Sequence, residues 1–469
     1  MKKNGKKYRK LQRERELKKQ TNLINDIDQE VDGIKTANLA IAQIVTANPI
    51  INDAEETKEK YLDYLGKYLK LGRWNKRKYE SSGMEAYKRI VLENKEVKQE
   101  YPIDFYQYYI LFDVLHLLGY QNDRISVSKM DDLRKQHAED FLNADSVIVK
   151  KIINSVQGED RRLTNLKKIE ALSSESHYID LVRKNINFRN HNPFGVMVTA
   201  TMSAGKSTFI NSLIGKYVCL SQNMACTSKI HSIINKAFED GYSSEYDHDL
   251  IMTAEKEELL NDNEENLSDV IFVATSFVGE LNDARIVVND SPGVNFSGDS
   301  EHQKIANQLI KRRKYGLLIY VMNATQLGTN DEDAHLDFVK QTVGRTPVMF
   351  VINKVDLFDP DEENIEDIIS RQTEYLKGKG FKNPIVCPVS ARAGYLSKQS
   401  QLGSLTRSEE RELYNFVDKF DKLQLDRYYK KVFPNIIIKD SPEEEIQLQK
   451  TCGLLYIEQL IKEYARGGK

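Results

Sequence analysis

Residues 194–215 read FGVMVTATMSAGKSTFINSLIG, and three kinds of segment follow one another in that order. Phe194 to Thr199 is short, apolar and β-branched, as a buried strand should be. Ala200 to Thr208, ATMSAGKST, is a run of small residues around a single lysine. The following STFINSLIG places Phe209, Leu213 and Ile214 at helical spacing. A strand, a tight loop and a helix N-terminus make an anion cradle, because backbone N–H groups point at the ligand and the helix dipole favours negative charge. Ala204, Gly205, Lys206, Ser207 and Thr208 are expected to wrap phosphates. Lys206 reaches the β- and γ-phosphates, and the Ser207 hydroxyl ligates Mg²⁺. Ala200 stands where the usual loop pattern begins with glycine. It is the smallest substitute, and the loop is expected to close around it. A GKST tetrapeptide alone is weak evidence; its place between strand and helix is what counts.

Further motifs follow in the order of a guanine-nucleotide switch. Thr227, in NMACTSKI, lies about twenty residues past the loop, where a threonine completes the Mg²⁺ shell once a γ-phosphate is present. In ARIVVNDSPG, Ile286 to Val288 reads as a strand, and Asp290 and Gly293 form a D-x-x-G. Asp290 would hold Mg²⁺ through water, and the Gly293 N–H would sense the γ-phosphate. In VMFVINKVD, Val348 to Ile352 is another strand, followed by Asn353, Lys354 and Asp356 as N-K-x-D. A carboxylate at Asp356 accepts from both N1–H and N2–H₂ of guanine, and adenine offers no such donor pair. Leaving that acid unpaired is costly, so the three residues select guanine. In NPIVCPVSAR, the strand Ile385 to Val389 ends in Ser390 and Ala391, a small pair that suits a loop approaching guanine O6.

With these motifs in place, the sequence resembles the dynamin family. The loop form S-A-G-K-S-T, the D-S-P-G and the N-K-V-D are similar to that family's. The run NATQLGTNDED, Asn323 to Asp333, and the late segment CGLLYIEQLIKEY resemble its bacterial dynamin-like branch. The resemblance covers about residues 185–465. It implies a Mg²⁺-dependent GTPase that hydrolyses GTP when two G domains meet, often at a membrane. The implied partners are a second copy or a second dynamin-like chain, with peripheral membrane contact; nucleic acid is not expected. Ser203 matches the serine before the family's A-G-K-S and joins Lys206, Thr227 and Gly293 as candidate catalytic groups. Met202 stands where animal dynamins carry a water-positioning glutamine. Val294, after Gly293, leaves the small-GTPase glutamine missing too. Water positioning then falls to the Thr227 carbonyl, the Ser203 region or a partner chain. The family normally continues into a helical stalk and a lipid-binding tip; with Lys469 following so soon after the last G-domain helix, remodelling of membranes by this chain alone is not expected.

The rest of the chain agrees with a protein of two or three domains. Its 469 residues are 40% hydrophobic and carry a net charge of −2, which does not suit a general nucleic-acid binder. Four scattered cysteines, Cys219, Cys226, Cys387 and Cys452, lack metal-ligand spacing and read as thiols in a reducing compartment. The expected location is cytoplasmic, with peripheral contact at the inner face of a membrane as the extension. Residues 1–32 are Lys/Arg-rich: a solvated tail or frayed helix, or a polybasic patch for anionic lipid or nucleic acid, with Glu14 and Glu16 weakening the second. Residues 33–188 carry mixed-charge helical patterns and few prolines. There Tyr61, Tyr64 and Tyr68 repeat at helical spacing, as core packing or as a docking stripe. Tyr108 to Tyr120 is apolar but too short to span a bilayer and contains Asp113 and His116, so a core helix is expected. Phe238 to Ala284 is expected to be an insertion between the second and third strands, and the acidic run within it, AEKEELLNDNEENLSD, a surface helix and loop, either a solvated face or a partner contact.

The fold expected is a doubly wound α/β P-loop GTPase domain over 189–469, a mostly parallel sheet with helices on both faces, behind an N-terminal all-α domain. Two rival functions remain: a scaffold that binds GTP with little hydrolysis and recruits a partner through the helical domain, and an RNA- or ribosome-associated GTPase using the basic N-terminus.

Overall fold

The computed structural model describes residues 43–70, 80–120, 144–157, 160–219, 230–246, 250–251, 270–291, 300–312, 314–359 and 364–467. The first part is helical: a 3₁₀ turn Pro49–Asn52, then α1 Glu55–Leu69, α2 Glu80–Glu93, α3 Gln107–Tyr120, α4 Ser146–Val156, α5 Asp160–Leu166 and α6 Ser176–Asn190. Helix α1 buries Tyr61, Leu62, Leu65, Tyr68 and Leu69, one face of a 3.6-residue period, so the tyrosine stripe is core. Helix α3 is buried along its whole described length from Tyr108 to Leu118, which makes it the centre of this layer.

An apolar helix that carries an aspartate must satisfy it. Asp113 is fully buried. Its Oδ2 accepts hydrogen bonds from Asn48 Nδ2 at 2.9 Å, from the Tyr61 hydroxyl at 2.5 Å and from the Tyr87 hydroxyl. Its Oδ1 accepts from the Tyr178 hydroxyl of α6. Four neutral donors, from four separate segments, converge on one side chain of the central helix.

The second part is a nine-stranded sheet: β1 Phe194–Ala200, β2 Ile230–Asn235, β3 Ser244–Tyr246, β4 Leu250–Ile251, β5 Val270–Thr275, β6 Ile286–Asp290, β7 Leu317–Asn323, β8 Val348–Asn353 and β9 Ile385–Val389. The order across the sheet is β4-β3-β5-β2-β6-β1-β7-β8-β9. Strands β6, β1, β7, β8 and β9 run parallel, whereas β2 is antiparallel to β6. The parallel strands read as near-continuous apolar runs and are buried apart from the opening residues of β1, β8 and β9, as a sheet covered on both faces requires. Around it lie α7 Lys206–Ile214, α8 Ser300–Arg312, α9 Asn330–Thr342, α10 Ile365–Gly378, α11 Ala391–Gln401, α12 Arg407–Leu423, α13 Asp426–Val432, α14 Glu444–Thr451 and α15 Leu454–Ala465.

One expectation is corrected. The stretch from Phe238 to Ala284 is not merely an insertion between two strands: it supplies β3, β4 and β5, and β5 is an inner strand between β3 and β2. The reason lies in VIFVAT, whose Ile271, Phe272, Val273 and Ala274 are all buried. The acidic run of residues 254–269 lies outside the described residues.

The two parts join at α6. Arg285 Nη1 donates to the carbonyls of Arg189 and His191, at 2.9 and 2.8 Å, and Phe194 N donates to Arg285 O at 2.8 Å. Near the other end, Gln43 exchanges hydrogen bonds with Phe238 O and Ala237 N. Among the described residues, no helix is long and apolar enough to cross a membrane.

Candidate nucleotide site

Four motif-bearing strands, β1, β6, β8 and β9, are parallel, so their carboxyl ends open on one edge of the sheet. Ligands of open α/β sheets bind in the crevice outside that edge. Ala200 is the last residue of β1, paired with Val321 and fully buried. It is not among the residues with positive φ, so a glycine is not needed there. The left-handed turns come later, at Ser203 (φ 60°) and Gly205 (φ 81°). At Gly205 a Cβ would lie 2.5 Å from Asn353 Nδ2, so only glycine fits. Gly205 is also the N-cap of α7 and brings no capping side chain, so no side chain occupies the helix N-terminus.

Lys206 opens α7 and is buried; its ammonium donates to Asp290 Oδ1 at the end of β6. Asp290 sits beside Val198 in the β1–β6 register, and Ser291 fixes that end by donating its N–H and Oγ–H to Val198 O, at 3.2 and 3.0 Å. Ser207 and Thr208 follow in the first turn of α7, half-buried. The buried Asp290 carboxylate pairs with Lys206, and Ser207 follows that lysine in the helix; carboxylate and hydroxyl are hard-oxygen donors of the kind that suits Mg²⁺. Cys219 is close by: Asn211 Oδ1 accepts from the N–H groups of Val218 and Cys219, and burial next to Asp290 pushes the Cys219 thiol well up. Thr227, Gly293 and Val294 lie outside the described residues.

At the base side, Asn353 is committed to other protein groups. Its Nδ2 donates to the carbonyls of Ala204 (3.1 Å) and Gly205 (3.4 Å), and its Oδ1 accepts from Ala391 N at 3.0 Å. It therefore ties the phosphate loop to the Ser390-Ala391 loop. Lys354 takes a left-handed φ of 68°, and its Cε comes 3.5 Å from where a Gly205 Cβ would be, so its stem lies across the loop. Asp356 is half-buried in the 3₁₀ turn Val355–Leu357. Ser390 caps α11, its Oγ accepting from Ala393 N at 3.2 Å, and its N–H donates to Cys452 O. Ser203 and Met202 are exposed at the mouth, Met202 by 41%.

One residue at the site was missed from sequence. Asn323 Nδ2 points at Ser203 O, 3.5 Å away, and its Oδ1 accepts from Thr325 N and Oγ1. Asn323 and Asn353 are paired in the β7–β8 register, so two adjacent strands both end in an asparagine facing the phosphate loop. That repetition was the available signal.

Comparison with known proteins bears on residues 196–355, which match the model of the dynamin family. The chain is 24% identical over 218 residues to the "Probable transmembrane GTPase FZO-like, chloroplastic" of Arabidopsis thaliana, covering 46% of this chain and 21% of that one. It is 25% identical over 232 residues to the "Bacterial dynamin-like protein" of Nostoc punctiforme, covering 45% and 32%. The chain therefore spans about a fifth to a third of the length of these relatives. A solved structure of an oligomerised bacterial dynamin pair aligns over 92% of this chain and 62% of its own, at 17% identity and a TM-score of 0.36.

Proposed function

We propose, for a chain whose residues 196–355 belong to the dynamin family, a Mg²⁺-dependent GTP-binding protein that hydrolyses GTP. The single observation that carries this reading is the Asn353 amide, which locks the phosphate loop and the base loop into one body. That arrangement suits one ligand with a phosphate end and a base end.

The roles follow from the geometry. Incoming phosphates compete with Asp290 for the Lys206 ammonium and win, because they carry more charge and more acceptors. Asp290, released, would then hold Mg²⁺ together with the Ser207 and Thr227 hydroxyls. Bound there, Mg²⁺ would neutralise charge on the phosphate oxygens. The α7 N-terminus and the Gly205 turn orient the chain of phosphates. Asp356 selects guanine, Lys354 covers it, and the Ser390-Ala391 backbone lines its edge. Changing Asp356 to Asn puts a donor where the acid accepted, so preference should move from guanine toward xanthine nucleotides.

Neither Met202 nor Val294 can orient a water. Hydrolysis by a lone G domain is therefore slow, and a second copy or a second dynamin-like chain covering the nucleotide face speeds it by fixing the Thr227 and Ser203 region and excluding solvent. The matching location is cytoplasmic, with peripheral contact at the inner face of a membrane. GTP turnover per molecule, measured across a wide protein concentration range, should rise with concentration, and excess ATP should not compete. Constant turnover at every dilution, or equal affinity for ATP, overturns this reading. Tight GTP binding without turnover at any concentration favours the second reading, a nucleotide-dependent scaffold, to which the exposed methionine at the loop points.

A further inference from the structure

Helix α15 carries none of the nucleotide motifs, yet it contributes to an ion pair in which both partners are completely inaccessible. Lys398 of α11 and Glu458 of α15 are each 0% exposed and bonded to one another. Lys398 Nζ also donates to Leu213 O at 2.9 Å, and Gln399, the next residue, donates to Gly215 O at 2.7 Å. Those carbonyls close the C-terminal end of α7, where helical partners run out. The second Glu458 oxygen accepts from Glu280 N at 3.4 Å. One turn on, Lys462 bonds Glu280 O (2.9 Å) and pairs with Asp283 (2.7 Å), in the segment that leads into β6 and so to Asp290. The backbone closes tightly over the pair. A Cβ at Gly215 would lie 2.9 Å from Lys398 Cδ, and one at Gly279 would lie 3.2 Å from Glu458 Oε2.

The near ends of the same helices form the site. Helix α7 begins at Lys206, in the phosphate loop, and α11 begins at Ala391, in the base loop. We propose that Lys398 and Glu458 are positioning residues that set the distance between the phosphate and base subsites. The proposal rests on the guanine-nucleotide reading above. Its physics is that of a two-headed ligand. Two linked contacts bind far more tightly than either alone only while the spacing of the sites matches the linker. A fully buried charge pair holds such a spacing firmly, since separating the partners leaves two charges unpaired in an apolar interior.

The test uses the full chain with Lys398→Met and Glu458→Leu together. Replacing a buried ion pair by apolar groups of similar volume is often neutral for stability, so the thermal midpoint should hold near the wild-type value. GDP affinity, by calorimetry, should fall by about tenfold or more. Guanosine and pyrophosphate, which each engage one subsite, should bind as they do to the wild type. Unchanged GDP affinity overturns the proposal, and so does a parallel loss of guanosine and pyrophosphate, which means damage to the subsites themselves. If the double variant does not fold, Gln399→Ala decides: it must weaken GDP binding while sparing guanosine, and wild-type GDP affinity counts against the proposal. Failure of the underlying reading has a different signature, a wild-type protein that binds GDP no better than ADP, and it takes the proposal with it.

Discussion

The helical part and the sheet each bury an aspartate, and they hold it in opposite ways. Asp113 accepts from three tyrosine hydroxyls and an asparagine amide. Burial pushes its carboxyl up, while those bonds pull it back. The three hydroxyls are pushed far above the ordinary tyrosine range by burial and by Asp113 itself, so they remain donors at any ordinary pH. None of the four donors has a better acceptor to turn to. Asp290 instead accepts from the Lys206 ammonium, between the carboxyl end of β6 and the start of α7. In the function proposed above, that lysine turns to a phosphate. The comparison then separates a carboxylate that fastens helices from one whose counter-ion would be on loan.

The strongest way to break that contrast is Lys206→Ala. It removes the charge that phosphates need, and GTP and GDP affinity should fall by about three orders of magnitude. Calorimetry on the purified variant decides; retained tight binding would mean the lysine serves only to pair with Asp290. Next is Asp113→Asn. An amide turns a donor toward hydroxyls that already donate, so the helical part should lose about 3 kcal/mol of stability in chemical denaturation, with GDP affinity intact below the unfolding transition. Loss of GDP binding in that folded variant would show that the two parts are not separable in this way.

A third buried acid grades the comparison. Glu332 at the start of α9 accepts from Gly328 N at 2.6 Å, and burial pushes its carboxyl up to about 7. One turn on, burial pulls His335 down to about 4. Between 4.5, the ordinary glutamate value, and about 7, folded Glu332 keeps a proton that the unfolded chain has released, so stability falls as pH rises. Between about 4 and 6.5, the ordinary histidine value, the unfolded chain holds the extra proton at His335, so stability rises with pH. The two slopes oppose each other over most of the same window. Glu332→Gln should therefore remove the falling slope: from pH 4.5 to 6.5 the variant's stability should climb by about 2 kcal/mol relative to the wild type's. A difference between the two proteins that stays constant across that window would remove Glu332 from the account.

Elements whose reasons are local were the legible ones. Strands β1, β6, β8 and β9 each combine an apolar run with the motif that terminates it, so both their existence and the sheet edge they share could be read from sequence. The nature of α3 was equally plain from its composition. What could not be read depends on partners far apart in the chain. The donors to Asp113 stand up to 65 residues away. Strand β5 was hidden because its parallel partner β2 is distant in sequence and an acidic run precedes it. Asn353 illustrates an intermediate case: its residue type and position were evident, but its commitment to Ala204, Gly205 and Ala391 depends on the three-dimensional approach of two loops.

Helix α15 has a consequence in time as well as in space. Among the described elements it follows all nine strands in the chain, so it is synthesised after the whole sheet. On the ribosome, the sheet can be laid down and α7 and α11 can form while nothing yet ties their far ends through Glu458. If Lys398 and Glu458 set the gauge as proposed, a nascent chain in that state would have every motif and no fixed spacing between them. On the proposal above, tight capture of a nucleotide would wait for residues 454–465.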